Sequence, residues 1–460
     1  VLLQKTYAGL TGIFTLVSLC VFLASCTSLK ATPYDDYIGP IRQPSDSLEK
    51  PFQVDVTPPK VTTEGSIEVT VEDAILLALE NNRSLQVERI NPSIQQTFEE
   101  QERAVFDPVL GGGLSGSRER TELRSGTTGT ITEARRSSTA AELGTSQFFP
   151  TGTEVGIDLS TDRTWSDRYS DQHATRAGLT VTQALLRGVG LNTNLASLRQ
   201  ARLDTLSSQY ELRGFAESLI ARTEQAYWDY ALAKRQIEIV AVSLELAEQQ
   251  LRETQERIKI GTLAEIELAA AKAEIALRRV ALINARTTLA TARLRLLRLL
   301  NPPGKGLWDR EIILRDQPIV PDVILDEVES HVEVALLWRP DLNQARLGVQ
   351  RGDLEIVKTK NGLLPVMDLF ITLGKTGYAD TFGSSVSDLD GDGYDISGEL
   401  ILAYPLFNRD SKARHQRAML SRSQAVEAVD NLAQLVQVDV RTAYIEVERA
   451  EEQVAATAAA

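Results

Sequence analysis

Residues 237–300 read IEIVAVSLELAEQQLRETQERIKIGTLAEIELAAAKAEIALRRVALINARTTLATARLRLLRLL, and their spacing is helical. Apolar or small residues fall at Ile237, Val240, Leu244, Ala247, Leu251, Thr254 and Ile258, in alternating steps of three and four. That is a heptad seam. Beyond Gly261 a second series places Leu268, Ile275, Leu282, Leu289 and Leu296 seven apart, with Ala271, Ala285 and Ala292 between them and Arg278 as the exception. Alanine at those sites lets two helices approach closely. Gly261-Thr262 therefore marks a reversal, glycine suiting the left-handed geometry at a helix end and threonine the next N-cap. The expected unit is an antiparallel hairpin whose arm, from about Leu195 to Ile260, approaches ~100 Å at ~1.5 Å per residue. A lone hairpin leaves a second stripe of Ala and Leu uncovered, which favours copies packed side by side in a closed oligomer.

The hairpin belongs to a unit that occurs twice. Ala78-Leu79 to Leu85, followed by Asp107-Pro108-Val109, corresponds to Ala335-Leu336 to Leu342, followed by Leu364-Pro365-Val366, at an offset of 257. Gln183-Ala184-Leu185-Leu186 corresponds to Tyr404-Pro405-Leu406-Phe407 at 221, and Ala226-Tyr227 to Ala443-Tyr444 at 217. The fall of 36 (257 − 221) between Pro108 and Ala184 means that copy one carries extra residues in its middle. Each copy is expected to run helix, middle segment, helix. From Tyr227 to Leu300 is 73 residues, whereas 16 follow Tyr444, so the second tip is expected to lie beyond this chain, as in a fragment.

The middle segment of copy one alternates at Val155, Ile157, Leu159 and again at Ala177, Leu179, Val181, which predicts strands with one apolar face. Phe149-Pro150-Thr151-Gly152-Thr153 is a tight turn, whereas Thr121 to Arg136 and Trp165 to Gln172 read as longer polar loops. Short turns on one side and long loops on the other fit an outer-membrane barrel. Copy two needs one hairpin, Val366 to Tyr378 and Ile396 to Phe407, and the 36 extra residues of copy one supply another, making six strands.

The chain of 460 residues has 49 Lys+Arg against 63 Asp+Glu, a net charge of −14, which argues against nucleic-acid binding because clustered cations are needed to displace counterions. At the N-terminus Lys5, an apolar run from Leu10 to Leu23 and then small residues have the order of a secretory signal. Cleavage leaves Cys26 as the only thiol, so no internal disulfide is expected. Pro33 to Pro59 reads as a tether. After the signal no apolar run reaches the ~18 residues of a membrane-crossing helix, so any further crossing must use strands.

Leu23-Ala24-Ser25-Cys26 resembles a bacterial lipoprotein box, which implies that Cys26 carries the lipid; Thr27 in place of Asp looks like an outer-membrane address. With the repeated helix, strands and helical hairpin, the chain resembles the TolC-like outer-membrane efflux protein family. The resemblance rests on Thr70 to Pro108, which looks like the family's first helix, on Gln183-Ala184-Leu185-Leu186-Arg187-Gly188, on Ile260-Gly261-Thr262 and on Tyr404-Pro405-Leu406-Phe407-Asn408-Arg409. It implies an α+β membrane protein: long antiparallel helical hairpins forming a periplasmic α-barrel, and strands joining a transmembrane β-barrel closed by a homotrimer. The expected organisation is a signal at 1–25, a lipid-anchored tether at 26–66, a first repeat at 67–325 and a second, incomplete one at 326–460. By the same resemblance Ile260, Gly261 and Thr262 form the tip that docks a periplasmic adaptor. Glu267 stands where the family places an acid near the constricted end, where an acidic ring selects cations. The implied function is a passive exit duct fed by an inner-membrane pump, for efflux or type I secretion. The alternative is a structural coiled-coil lipoprotein of the envelope without a pore.

Other motifs carry less. Asp388, Asp390 and Asp392, with Gly393 and Glu399, fit a calcium-loop pattern with oxygens at positions 1, 3, 5 and 12, but position 8 is Asp395 and strands flank it, so an acidic surface loop is the simpler reading. Gly111 to Gly116 satisfies G-x-G-x-x-G yet precedes no helix pattern, and Gly374-Lys375-Thr376 lacks the earlier glycine of a phosphate loop. His173, His331 and His415 are far apart without cysteine partners, and no Gly-x-Ser-x-Gly elbow occurs. Neither a catalytic role nor a resident cofactor is expected.

Overall fold

Two helices with matching bounds, α1 (Val71–Asn81) and α7 (Val328–Trp338), open the two copies, each end displaced by 257 residues. Strands β2 (Val109–Arg124) and β7 (Val366–Ala379) begin at the same displacement. The structure is a computed structural model and describes residues 65–459 apart from 125, 126, 128, 130, 168 and 320–324. The signal, Cys26 and nearly all of the tether lie outside the described residues.

Thr70 starts α1 with a capping box, its hydroxyl accepting from the Asp73 N–H while the Asp73 carboxylate accepts from the Thr70 N–H. The single helix expected from Thr70 to Pro108 is in fact three, α1, α2 (Arg83–Glu88) and α3 (Asn91–Arg103), followed by a 3₁₀ turn at Ala104–Phe106. Asn82 makes the first break: its Oδ1 accepts from the N–H groups of Ser84 and Leu85, and its Nδ2 donates to the Leu299 carbonyl. Pro92, at the start of α3, makes the second, since proline lacks the N–H that a continuing helix needs. In copy two Arg339 marks the first break and Pro340 opens α8 (Pro340–Asn361), which then runs unbroken past Val349, the counterpart of Pro92.

After a short turn of helix α4 (Leu191–Asn194), α5 (Ala196–Lys259) is 64 residues long, about 95 Å at ~1.5 Å per residue. It reverses into α6 (Ile266–Leu300). The heptad positions form the seam: Thr254, Ile275, Ala285, Ala292 and Leu296 are buried, the others are half-buried, and Arg278 is exposed. The second stripe is also present and uncovered, with Leu232, Ile239, Val242 and Leu246 on α5 and Leu277 and Val280 on α6 exposed. The main core lies at the open end of this hairpin, where Leu77, Leu85, Leu219, Tyr227, Leu296 and Leu300 pack together. It is closed by β1 (Ile67–Val69), which runs parallel to β6 (Ile312–Leu314). The Tyr227 hydroxyl donates to the Val69 carbonyl at 3.2 Å, and burial pushes this phenol above its ordinary range.

The final helix, α9 (Arg409–Ala459), packs on α7 and α8, and α8 packs also on α5. Ion pairs Arg351–Asp204 (2.9 Å) and Arg422–Asp353 (3.0 Å) tie α8 to the long helix of each copy. Among the described residues no helix is long and apolar enough to cross a membrane.

Candidate functional site

Six antiparallel strands form one sheet in the order β2, β3 (Ile131–Phe149), β4 (Thr153–Ser166), β5 (Tyr169–Ala184), β7, β8 (Tyr394–Ala403). Copy one supplies four strands and copy two the remaining pair, joined where β5 meets β7 from His173↔Ala379 to Ala184↔Asp368. The loops expected at Thr121–Arg136 and Trp165–Gln172 are largely strand. Both faces there are polar, so alternation is hidden, but the ladder continues and side chains pair across it, as in Ser117 with Ser138 (2.8 Å) and Arg120 with Glu133. Strand β8 ends at Ala403 and does not reach Phe407.

Residues directly opposite one another in a ladder share a face, so the register sorts the sheet into two surfaces. On one, Leu143 faces Leu159, Ile157 faces Leu179, Leu179 faces Leu373 and Leu373 faces Ile396. This apolar surface extends along β7 through Met367, Leu369, Ile371 and Leu373, about 20 Å at ~3.4 Å per residue, and is bounded by Lys375 and Tyr394 at one end and Phe149 at the other. It is largely bare: Leu143, Ile157, Ile396, Leu400 and Leu402 are each more than half exposed. A bare apolar band with aromatic residues at its rims is the surface that strands present to lipid.

The opposite surface is mainly polar, with Phe148, Phe370 and Ile401 among its apolar exceptions. One transverse row runs Gly111–Gly144–Asp158–Gly178–Gly374–Asp395, crossing all six strands. Arg176 lies across it. Its Nη1 donates to Asp158 at 3.2 Å, and its Nε and Nη2 donate to the two carboxylate oxygens of Asp395 at 3.3 and 2.9 Å. A Cβ at Gly178 or Gly374 would collide with the guanidinium and its carboxylates, so the two glycines make the bed in which the side chain rests. Sequence reasoning missed this cluster because its members lie 18 and 219 residues apart. Glycine interrupting an alternating strand was the available signal.

At the far end of the hairpin, the Gly261 N–H donates to the Ile258 carbonyl and the Thr262 N–H to the Arg257 carbonyl, a Schellman closure with Gly261 at φ +77°. Thr262 is not the next N-cap: its hydroxyl donates back to Arg257, and α6 starts four residues later at Ile266. The expected tip residues Ile260, Gly261 and Thr262 are exposed, and Glu267 is exposed in the first turn of α6. The calcium-loop residues are not brought together. Asp388 accepts from the Tyr378 N–H, Asp390 ends a 3₁₀ turn, Asp392 is exposed, and Glu399 lies on β8 opposite Phe370. Among the described residues no three His, Cys, Asp or Glu side chains converge on a metal position.

Residues 74–302 match the family model described as Outer membrane efflux protein. Among solved structures the chain is similar to the outer-membrane channel OprN (17% identity over 84% of this chain and 76% of that one, TM-score 0.60). It is similar also to the CmeC outer membrane channel of Campylobacter jejuni (16%, 83% and 74%, TM-score 0.56) and to the open state of the MtrE outer membrane channel of Neisseria gonorrhoeae (19%, 84% and 75%, TM-score 0.55). No curated protein matches the chain. At these identities the likeness is one of fold: a long helical hairpin joined to an antiparallel sheet.

Proposed function

The chain belongs to the outer membrane efflux protein family of TolC-like factors, and from that premise we propose that it is the exit duct of a tripartite efflux or type I secretion assembly, passing substrates from an inner-membrane pump to the outside. The observation that carries this reading is the two-faced sheet with unpaired edges at β2 and β8. Lipid cannot satisfy those edge groups, whereas neighbouring copies can. Three copies of six strands would close eighteen, enough for a water-filled lumen. The uncovered stripes on α5 and α6 support side-by-side packing of the helices in the same assembly.

In this reading lipid at Cys26 holds each copy to the outer membrane. The exposed turn Ile260-Gly261-Thr262 meets a periplasmic adaptor, and Glu267 adds an acidic group beside it. No step needs a nucleotide or metal in this chain, because the duct is passive. Single-channel recording in planar bilayers tests the duct: discrete conductance is expected, and purified trimers that insert without conducting would leave the coiled-coil spacer in its place. Gly261→Val tests the tip, since a β-branched residue is strained at φ +77°. Trimers should persist while export falls at least about tenfold, the loss of roughly 1.4 kcal/mol of docking energy; unchanged export would remove the docking role.

A further inference from the structure

Among the described residues the polar surface of the sheet is acidic where it is charged near the apolar band, with Glu142, Glu154, Asp158, Asp162, Asp368, Asp395 and Glu399 on it and Arg176 as the cation among them. We propose that Arg176 sets the ionic selectivity of the barrel, by holding Asp158 and Asp395 in a compensated cluster on the surface that faces the lumen. The assignment rests on the duct reading above, which turns the apolar surface to lipid and so this one inward.

The geometry supports a tuned charge and not an incidental surface pair. An exposed arginine ordinarily samples several rotamers, and its ion pairs contribute little. Here the guanidinium spans four strands, is bidentate to Asp395, reaches Asp158 on the far side, and fits only because residues 178 and 374 have no side chain. Arginine's planar fork suits this arrangement, which a lysine ammonium can match in charge but not in shape. The cluster lies at the height of the apolar band, on the same rows as Ile157, Leu179 and Leu373 shifted by one residue, where low-dielectric walls focus the field across a lumen. As it stands the cluster presents two carboxylates and one guanidinium. Substitution can take that balance in either direction, so cation preference should follow the charge of the cluster.

The test is the reversal potential of the full chain reconstituted in planar bilayers under a KCl gradient. The wild type should prefer K⁺. Arg176→Gln should raise the K⁺/Cl⁻ permeability ratio by about twofold or more at ~0.1 M salt, an effect that shrinks toward 1 M as screening shortens the reach of the charges. Arg176→Lys should stay near wild type, and the pair Asp158→Asn with Asp395→Asn should lower the ratio below it. If Arg176→Gln fails to assemble, the ordering of the lysine variant above the double asparagine variant still decides. Conducting channels with one reversal potential across these variants would overturn the assignment and leave the duct standing. A wild type that inserts without conducting would overturn the duct, and the assignment with it.

Discussion

Copy one crosses the sheet four times and copy two twice, yet α1 and α7 start and stop at corresponding residues, and β2 and β7 begin at the same displacement. The excess of copy one between Pro108 and Ala184 is 36 residues, the span Ile131–Ser166 that holds β3, the Pro150 turn and β4. A hairpin returns the chain to the side from which it left. Strands can therefore be added in pairs without moving the helices that flank them, whereas a single added strand would put the next helix on the wrong side of the membrane. Helix bounds, by contrast, are held by caps and by the shared core. Between the opening helices they differ where a residue forces it, as Pro92 does in copy one and Val349 does not in copy two.

Deleting 131–166 makes copy one like copy two and has the largest expected effect. Four strands per copy should remain beside intact helices, and in the trimer proposed above a barrel of twelve strands in place of eighteen should conduct roughly half as well, because diameter grows about linearly with strand number. Equal conductance, or loss of the helical circular-dichroism signal, would show that the hairpin is not a separable addition. A smaller effect separates the paired tyrosines. Tyr227 is buried and bonded to Val69, whereas its counterpart Tyr444 makes a tilted ring contact with His331 at 6.2 Å. Tyr227→Phe should cost about 1 kcal/mol in chemical denaturation, and Tyr444→Phe close to nothing. The sign with pH follows from the raised phenol. Its stabilising share is complete below the unfolded tyrosine value of ~10 and is lost as pH rises through the higher folded value, so wild type should lose stability above pH ~10 more steeply than Tyr227→Phe.

The long hairpin was legible in the sequence because its seam repeats through two helices, and the duplication because Ala78, Pro108 and Tyr227 each have a partner at a sensible offset. The sheet was legible where one face is apolar, at Val155 to Leu159 and Ala177 to Val181 in copy one and at Val366 to Tyr378 and from Ile396 in copy two. Beyond the band both faces are polar, so strands looked like loops. Thr262 looked like an N-cap because hydroxyl residues at helix reversals often are, but here its hydroxyl closes the preceding helix. The parallel pairing of Ile67–Val69 with Ile312–Leu314 and the Arg176 cluster depend on contacts between distant segments, which no local pattern carries.

A duct requires the sheet to hold one surface in lipid and the other in water. Spin labels placed singly at residues 369 to 373 of β7, in the chain reconstituted into vesicles, read this directly through collision with oxygen, which concentrates in lipid, or with a nickel chelate, which stays in water. Leu369, Ile371 and Leu373 should report oxygen and Phe370 and Thr372 nickel, in strict alternation. Nickel reaching all five positions equally would mean that the strands fold in water, and the duct would be contradicted.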